Sequence, residues 1–193
     1  MAWVSRKTYE HLEDMLDAAI AEEFEESAYD EKMLSRLESG TIQVLPQRQS
    51  LLPLLLAVEK RGEEKQKKRK IRFETQGWET SGLAWFDRKW TEEAVYNVLD
   101  NALKYTEEAS TVRMRVRRYE FFVCLEIEDE GPGVDLDEVP RLFDRFYRSP
   151  QMQDREGVGL GLFLTREILK KQKGYIKVKN GVKGACFQIY LQV

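Results

Sequence analysis

Hydrophobic positions along the chain recur with two different periods, and the changes of period mark out its elements. Leu12, Met15, Leu16, Ala19 and Ile20 share one stripe at helical spacing with acidic residues opposite. Residues from about Ser5 to Phe24 are therefore expected to form an amphipathic helix. "EESAYDE" interrupts this pattern with capping-type residues, and "DEKMLSRLESG" reads as a second short helix closed by Gly40. From Thr41 the texture changes. "TIQVL" alternates like a strand, and "LLPLLLAVEKRGEEKQKK" is helical with Pro53 near its start. "KIRFET" and "GLAWFD" read as strands separated by the polar turn "QGWETS". "RKWTEEAVYNVLDNALKYT" predicts a long helix with Thr91 as its cap and Glu93 as a first-turn acid. "STVRMRVRRY" and "FFVCLEIED" form two β-rich runs joined tightly at Glu120. A helix in "GLFLTREILKK" and strands "GYIKVKN" and "ACFQIYLQV" complete the chain.

Strands and helices mixed in this order, with most hairpin-like pairs adjacent, predict an α/β (α+β) two-layer sandwich. It has one mixed sheet with helices on one face, plus an N-terminal helical extension. The domain division expected is 1–40 for the helical extension, a linker segment, and 41–193 for the sandwich.

A chain of 193 residues suffices for one well-cored domain and a short extension. A hydrophobic share of 42% beside 34% charged residues places it among globular proteins, away from disorder. The formal net charge of −3 excludes a general nucleic-acid binder, because no basic excess exists to neutralise phosphates. The one basic run, "KQKKRKIR", reads as a solvated helix end leading into a strand. Cys124 and Cys186 each lie in an apolar strand-like run, which fits buried free thiols in a reducing cytoplasm. No apolar run approaches the roughly 18 residues of a membrane span, so no membrane contact is expected of the chain itself.

The candidate chemistry begins at "REGVGLGLFLTREILKK", where Gly157, Gly159 and Gly161 precede a helix. Their spacing is not the dinucleotide fingerprint G-x-G-x-x-G, and no G-K-[ST] follows as in a Walker loop. What remains is the general capacity of a helix N-terminus and close-approaching glycines to hold phosphate. Alone, the motif is weak. In the long helix, Glu93, Asn97, Asn101 and Lys104 are spaced by four, four and three and share a face. A merely solvated stripe is the alternative, but asparagine is a poor helix former and is not favoured there. Amide oxygens suit Mg²⁺, and Lys104 suits a phosphate. "EDEGPGV" offers Asp129 at a strand end, where a carboxylate can accept from an exocyclic amine such as adenine's, with Gly131 and Gly133 opening the turn. Standing alone it would be an ordinary acidic turn. In "LFDRFYRS", Phe143 and Phe146 read as core, while Arg145, Tyr147 and Arg148 are available to a γ-phosphate.

These four stretches, in this order, resemble the nucleotide-binding boxes of bacterial sensor histidine kinases. "NVLDNALKYT" resembles the N box, "DEGPGV" the first glycine box, "LFDRFYR" the phenylalanine box and "GVGLGL" the second glycine box. The resemblance covers roughly Thr41 to Val193. It implies an ATP-binding sandwich with ATP and Mg²⁺ between the long helix and a lid at about Arg148 to Glu156. It implies Asn101 as the Mg²⁺ ligand, Asn97 supporting the phosphate and metal region, Lys104 on phosphate and Tyr105 beside the nucleotide. Asp129 would read the adenine amine in a pocket shaped by Gly131 and Gly133. Arg148 would reach the γ-phosphate, and Gly157, Gly159 and Gly161 would form the hinge and anion cradle. Glu93, Asn97 and Arg148 are the candidate catalytic residues.

Such kinases phosphorylate a histidine on a two-helix dimerisation hairpin. The one histidine here, His11 in "YEHLEDML", lacks the expected following acid and Thr-Pro. Only 29 residues separate it from Gly40, whereas a hairpin of about 35 Å helices needs on the order of 50 residues. The resemblance therefore implies an ATP-binding half without its own acceptor, belonging to a parent anchored in the bacterial membrane. Its partners would be a phosphoacceptor histidine domain, a response regulator and a second copy paired through the N-terminal helix. Two other readings stay open: a regulatory module that holds ATP without transferring phosphate, and an anti-sigma-factor-type serine kinase.

Overall fold

The computed structural model describes residues 28, 29, 31–150 and 157–193. The amphipathic segment Ser5 to Phe24, its His11, and the lid residues from 151 to 156 lie outside the described residues. The strands are β1 (Gln47–Ser50), β2 (Arg72–Gln76), β3 (Leu83–Phe86), β4 (Thr111–Arg118), β5 (Phe122–Glu128), β6 (Tyr175–Asn180) and β7 (Ala185–Gln192). They form one mixed sheet in the order β1-β3-β7-β5-β4-β2, with β6 also pairing to β7. β2 runs parallel to β4, and β4, β5, β7 and β6 pair antiparallel. Helices α1 (Leu52–Lys68), α2 (Arg88–Tyr105) and α3 (Gly161–Lys171) cover one face of the sheet.

Period-two alternation decides which face that is. Val112, Met114 and Val116 of β4, Val123, Leu125 and Ile127 of β5, and Phe187, Ile189 and Leu191 of β7 point into one core. α1 adds Leu54, Leu55 and Val58, and α2 adds Val95, Val98, Leu99, Ala102 and Leu103. Each Val, Leu, Ile, Phe or Met among them stabilises the fold by roughly 1.5–3 kcal/mol when fully removed from water. The opposite face of the sheet carries Arg113, Arg115 and Arg117 against Glu74, Glu126, Glu128 and Glu130. Glu126 and Glu128 are buried there, so the arginines satisfy carboxylates that would otherwise be costly to desolvate. Cys124 and Cys186 are free and buried on this same face. Burial pushes the Cys124 thiol up to about 12 and the Cys186 thiol to about 11. Neither forms a thiolate at neutral pH.

Three local expectations are corrected. Residues 41–46, which include "TIQVL", have no regular structure, and the strand begins at Gln47. Their alternation instead reflects Ile42 packed under α3, with Gln43 accepting from Trp90 Nε1 at 3.1 Å. Thr91 does not cap α2. Asp87 does, its Oδ1 accepting from Trp90 N at 3.2 Å, while Thr91 is buried and bonds to Gln172 at 2.8 Å. Phe143 joins the core, but Phe146 is exposed at a left-handed turn (φ 60°), where its N–H donates to Gly159 O at 3.0 Å.

A second apolar cluster joins Met33, Leu34, Leu37 and Ile42 to Ala94 of α2 and to Leu160, Leu164 and Ile168 of α3. Residues 31–38 are helical and end at Gly40 with φ 69°. The boundary expected near Gly40 thus falls between residues packed on the same cluster. Leu34→Ala is expected to lower the unfolding free energy by about 2–3 kcal/mol in urea titration. An unchanged midpoint would show that this segment is not integrated with the sandwich.

Candidate nucleotide-binding site

With Ala94, Val95, Val98, Leu99, Ala102 and Leu103 committed to the interior, the rotation of α2 is fixed. Asn97, Asn101, Lys104 and Tyr105 are thereby turned toward a cavity of about 400 Å³. Thr165 pins the opposite wall, its hydroxyl reaching Ala94 O at 3.1 Å and Gly161 O at 2.9 Å. Asn97 Nδ2 also donates to Gly161 O, at 3.3 Å, tying α2 to the start of α3.

Asp129 follows β5 directly and lines the cavity although only 4% exposed. Its Oδ1 accepts from Gly131 N at 2.8 Å and Ala185 N at 3.1 Å. Burial pushes its carboxyl pKa up, and the two backbone donors offset this only in part. Gly184 is required by this arrangement, since a Cβ there would lie 2.2 Å from Asp129 Oδ1. Gly133 and Val134 continue the cavity wall, with Asn180 Oδ1 accepting from Val134 N at 2.8 Å.

At the far wall the chain passes Tyr147 and Arg148, then resumes at Gly157, Gly159 and Gly161. Gly159 has φ 77°, and a Cβ on it would meet Tyr147 O at 2.7 Å, so no side chain fits. α3 begins here with Leu160 at the cap position and no side-chain cap. Its first N–H groups are the natural partners of an anion entering the cavity.

Of the expected site residues, Asn97, Asn101, Lys104, Tyr105, Asp129, Gly133, Arg148, Gly157, Gly159 and Gly161 line this single cavity. Gly131 sits behind it, its N–H fixing Asp129. Glu93 is the correction. It bonds through both carboxylate oxygens to Arg61, at 2.7 and 3.1 Å, and is not among the lining residues. Arg145 likewise turns away to Glu38 at 2.7 Å. Sequence reasoning missed Asp100, buried on the cavity wall between Lys65 Nζ at 2.7 Å and Lys104 Nζ at 2.8 Å. The i,i+4 spacing of Asp100 and Lys104 was a usable signal. Lys65 was hidden in a run that looked merely solvated.

Residues 86–193, more than half the chain, match the Histidine kinase-, DNA gyrase B-, and HSP90-like ATPase family. The chain belongs to that family. Within it, the chain is similar to sensor kinases. It is 37% identical over 100 residues to the sensor protein kinase PmrB of Pseudomonas aeruginosa, covering 52% of this chain and 21% of PmrB. Among solved structures, the Acinetobacter baumannii histidine kinase AdeS aligns with TM-score 0.71 and 22% identity, over 99% of this chain and 86% of that one. Full-length ShkA in complex with AMPPNP aligns with TM-score 0.74 and 18% identity, over 100% of this chain and 40% of that one. These two carry the fold. The chain spans about a fifth of the length of PmrB. It carries that family's ATPase domain, and no helix among its described residues is long and apolar enough to cross a membrane.

Because the raised pKa of Asp129 means that its ionised form is disfavoured in the folded state, removing the charge should stabilise the fold at neutral pH. Asp129→Asn is expected to raise the melting temperature at pH 7. The gain should shrink as pH falls through the folded pKa and vanish below the unfolded one, where both states are protonated. The same variant should bind ATP at least about tenfold more weakly, from the lost charged acceptor. Equal melting temperatures at pH 7 would contradict the burial argument.

Proposed function

We propose that the cavity binds ATP with Mg²⁺ and presents the γ-phosphoryl group to a histidine on a separate phosphoacceptor hairpin. The observation that carries this reading is the convergence on one cavity of an amide pair, two cations, a buried carboxylate and an uncapped helix N-terminus. Each end of ATP then has a partner. Asp129 accepts from the adenine amine, and its turn and Tyr105 accommodate the ring. Lys104, Arg148 and the first N–H groups of α3 meet the phosphates. ShkA, a protein of the same fold, is solved in complex with AMPPNP, which supports a nucleotide as the ligand.

The donor set suits Mg²⁺. Asn101 supplies a hard amide oxygen and Asn97 stands one turn away, while the described residues contain no cluster of three His, Cys, Asp or Glu side chains that could hold a metal alone. A cation that keeps water and takes substrate phosphates as ligands fits such a site. When bound, it supplies charge neutralisation to the phosphates. In the transfer, the acceptor imidazole nitrogen forms a bond to the γ-phosphorus as the bond to the β–γ bridging oxygen breaks, and ADP departs. This chain's part is positioning and electrostatics. Lys104 and Arg148 hold the phosphoryl oxygens, Asn97 fixes the loop at Gly161, and the glycine-rich turn lets backbone approach closely. Glu93, bound to Arg61, is given no proton-transfer step. The acceptor domain, a response regulator, pairing through the N-terminal segment and a membrane-anchored parent complete the proposed setting.

Calorimetric titration with ATP, with and without Mg²⁺, tests the reading. Micromolar Mg²⁺-dependent binding is expected, on the order of −8 kcal/mol. Asn101→Ala should abolish the Mg²⁺ dependence while leaving adenosine binding intact. Equal ATP affinity in wild type and variant, at saturating Mg²⁺, would remove Asn101 from the site.

A further inference from the structure

The C-terminus of α2 abuts the turn that carries Asp129, and one side chain stands at the joint. Thr106 is the C-cap residue of α2, extended (ψ 153°) and fully buried. Its N–H donates to Ala102 O at 3.1 Å, closing the last turn of the helix. Its Oγ1 accepts from Glu130 N at 3.1 Å, and its carbonyl accepts from Arg69 Nη2 at 2.9 Å. Helix, turn and Arg69 therefore meet on a residue that is not among those lining the cavity.

Arg69 lies just past the end of α1, outside residues 86–193 that match the family. Its guanidinium also donates to the carbonyls of Leu103 and, at 2.8 Å, of Lys104. The last carbonyls of a helix have no partner within it, and a planar fork of N–H donors suits several of them at once. The negative end of the helix dipole favours a cation at the same place. On the turn side, Asp129 N donates to Ala185 O at 3.0 Å and Gly131 N to Asp129 Oδ1 at 2.8 Å. The N–H between them, that of Glu130, goes to Thr106 and ties the turn to α2. Gly131 lets the two come close, since a Cβ on it would lie 2.8 Å from Tyr105 O.

We propose that Thr106 and Arg69 are positioning residues for the Asp129 carboxylate, an inference that rests on the nucleotide reading above. Thr106 holds the turn to α2, so Asp129 and Tyr105 keep a fixed separation across the nucleoside end. Arg69 holds Thr106 by its carbonyl and keeps the last turn of α2 from fraying. Neither side chain touches the nucleotide. Losing either lets Asp129 drift from the adenine amine, and the site then loses its discrimination against a base without that amine.

The experiment titrates the full chain, in Mg²⁺, with ATP and with inosine triphosphate, which carries a carbonyl oxygen in place of the adenine amine. The two triphosphate groups are identical, so the ratio of affinities isolates the contact with Asp129. Wild type is expected to prefer ATP at least about tenfold, the worth of a hydrogen bond to a charged acceptor. Thr106→Val keeps the shape and removes the acceptor. It should cut that preference by roughly threefold to tenfold, the worth of one lost hydrogen bond, without weakening inosine triphosphate binding. Thr106→Ser keeps the acceptor, loses the methyl and should keep the wild-type preference. Arg69→Met should lower the preference, Arg69→Lys should recover part of it, and Arg69→Met should add little in the Thr106→Val background. A packing role for Thr106 gives the reverse pattern, Ser impaired and Val normal, and would overturn the proposal. So would equal weakening of both triphosphates, which marks a general structural role. If Thr106→Val does not fold, a lowered preference in Thr106→Ser or an undiminished one in Arg69→Met overturns it. Wild type binding both triphosphates equally would remove the adenine contact and this inference with it, whereas no ATP binding at all would overturn the functional reading itself.

Discussion

The rotation of α2 about its axis is set by the apolar residues it gives to the sheet, and the polar groups that this helix gives to the site inherit their direction from that rotation. Ala94, Val95, Val98, Leu99, Ala102 and Leu103 are fully enclosed or nearly so. Helical geometry then leaves Asn97, Asn101 and Lys104 on the remaining face. A small rotation of the helix would expose leucines and bury amides at once, a double penalty. The site is rigid on this side because the core is. Thr165 and Asn97 extend the constraint to α3 through Ala94 O and Gly161 O, so the two walls keep their spacing.

The remaining walls are held by backbone chemistry. Asp129 takes its place from two N–H donors and from the absence of side chains at Gly184 and Gly131. Gly159 allows the phosphate-side turn to close over Tyr147 O. Both are positions where a methyl group would collide with backbone or carboxylate. The site therefore combines a packed helix with two glycine-dependent turns, and its charges are placed by those elements. Outside the cavity, α1 grips α2 through Arg61, Lys65 and Arg69, so a helix beyond the residues that match the family also holds α2 in place.

Much of this was legible in the sequence because it is periodic. The alternation in "STVRMRVRRY", "FFVCLEIED" and "ACFQIYLQV" predicts strands, and β4, β5 and β7 occupy those stretches. The four-residue spacing of Asn97 and Asn101 predicts a shared face, and both line the cavity. The misses have a common cause, which is that tertiary partners lie far away in sequence. Glu93 follows the same spacing, but Arg61 claims it from another helix. "TIQVL" alternates for packing against α2 and α3 instead of pleating. Thr91 looks like a cap, yet Asp87 lies four residues earlier and Gln172 supplies a buried partner. Lys65 and Asp100 come from distant elements, and only the packing of α1 on α2 brings them together.

The central claim is that α2, the turn after β5 and the start of α3 form one ATP site. Hydrogen exchange of the full chain with and without Mg²⁺ and ATP tests it most directly, because it reads all three elements at once. The account predicts added protection at residues 129–134 and 157–162 and along the cavity face of α2, with little change on the outer strands. Protection confined to one of these elements, or appearing elsewhere while ATP is bound, would contradict a single shared site.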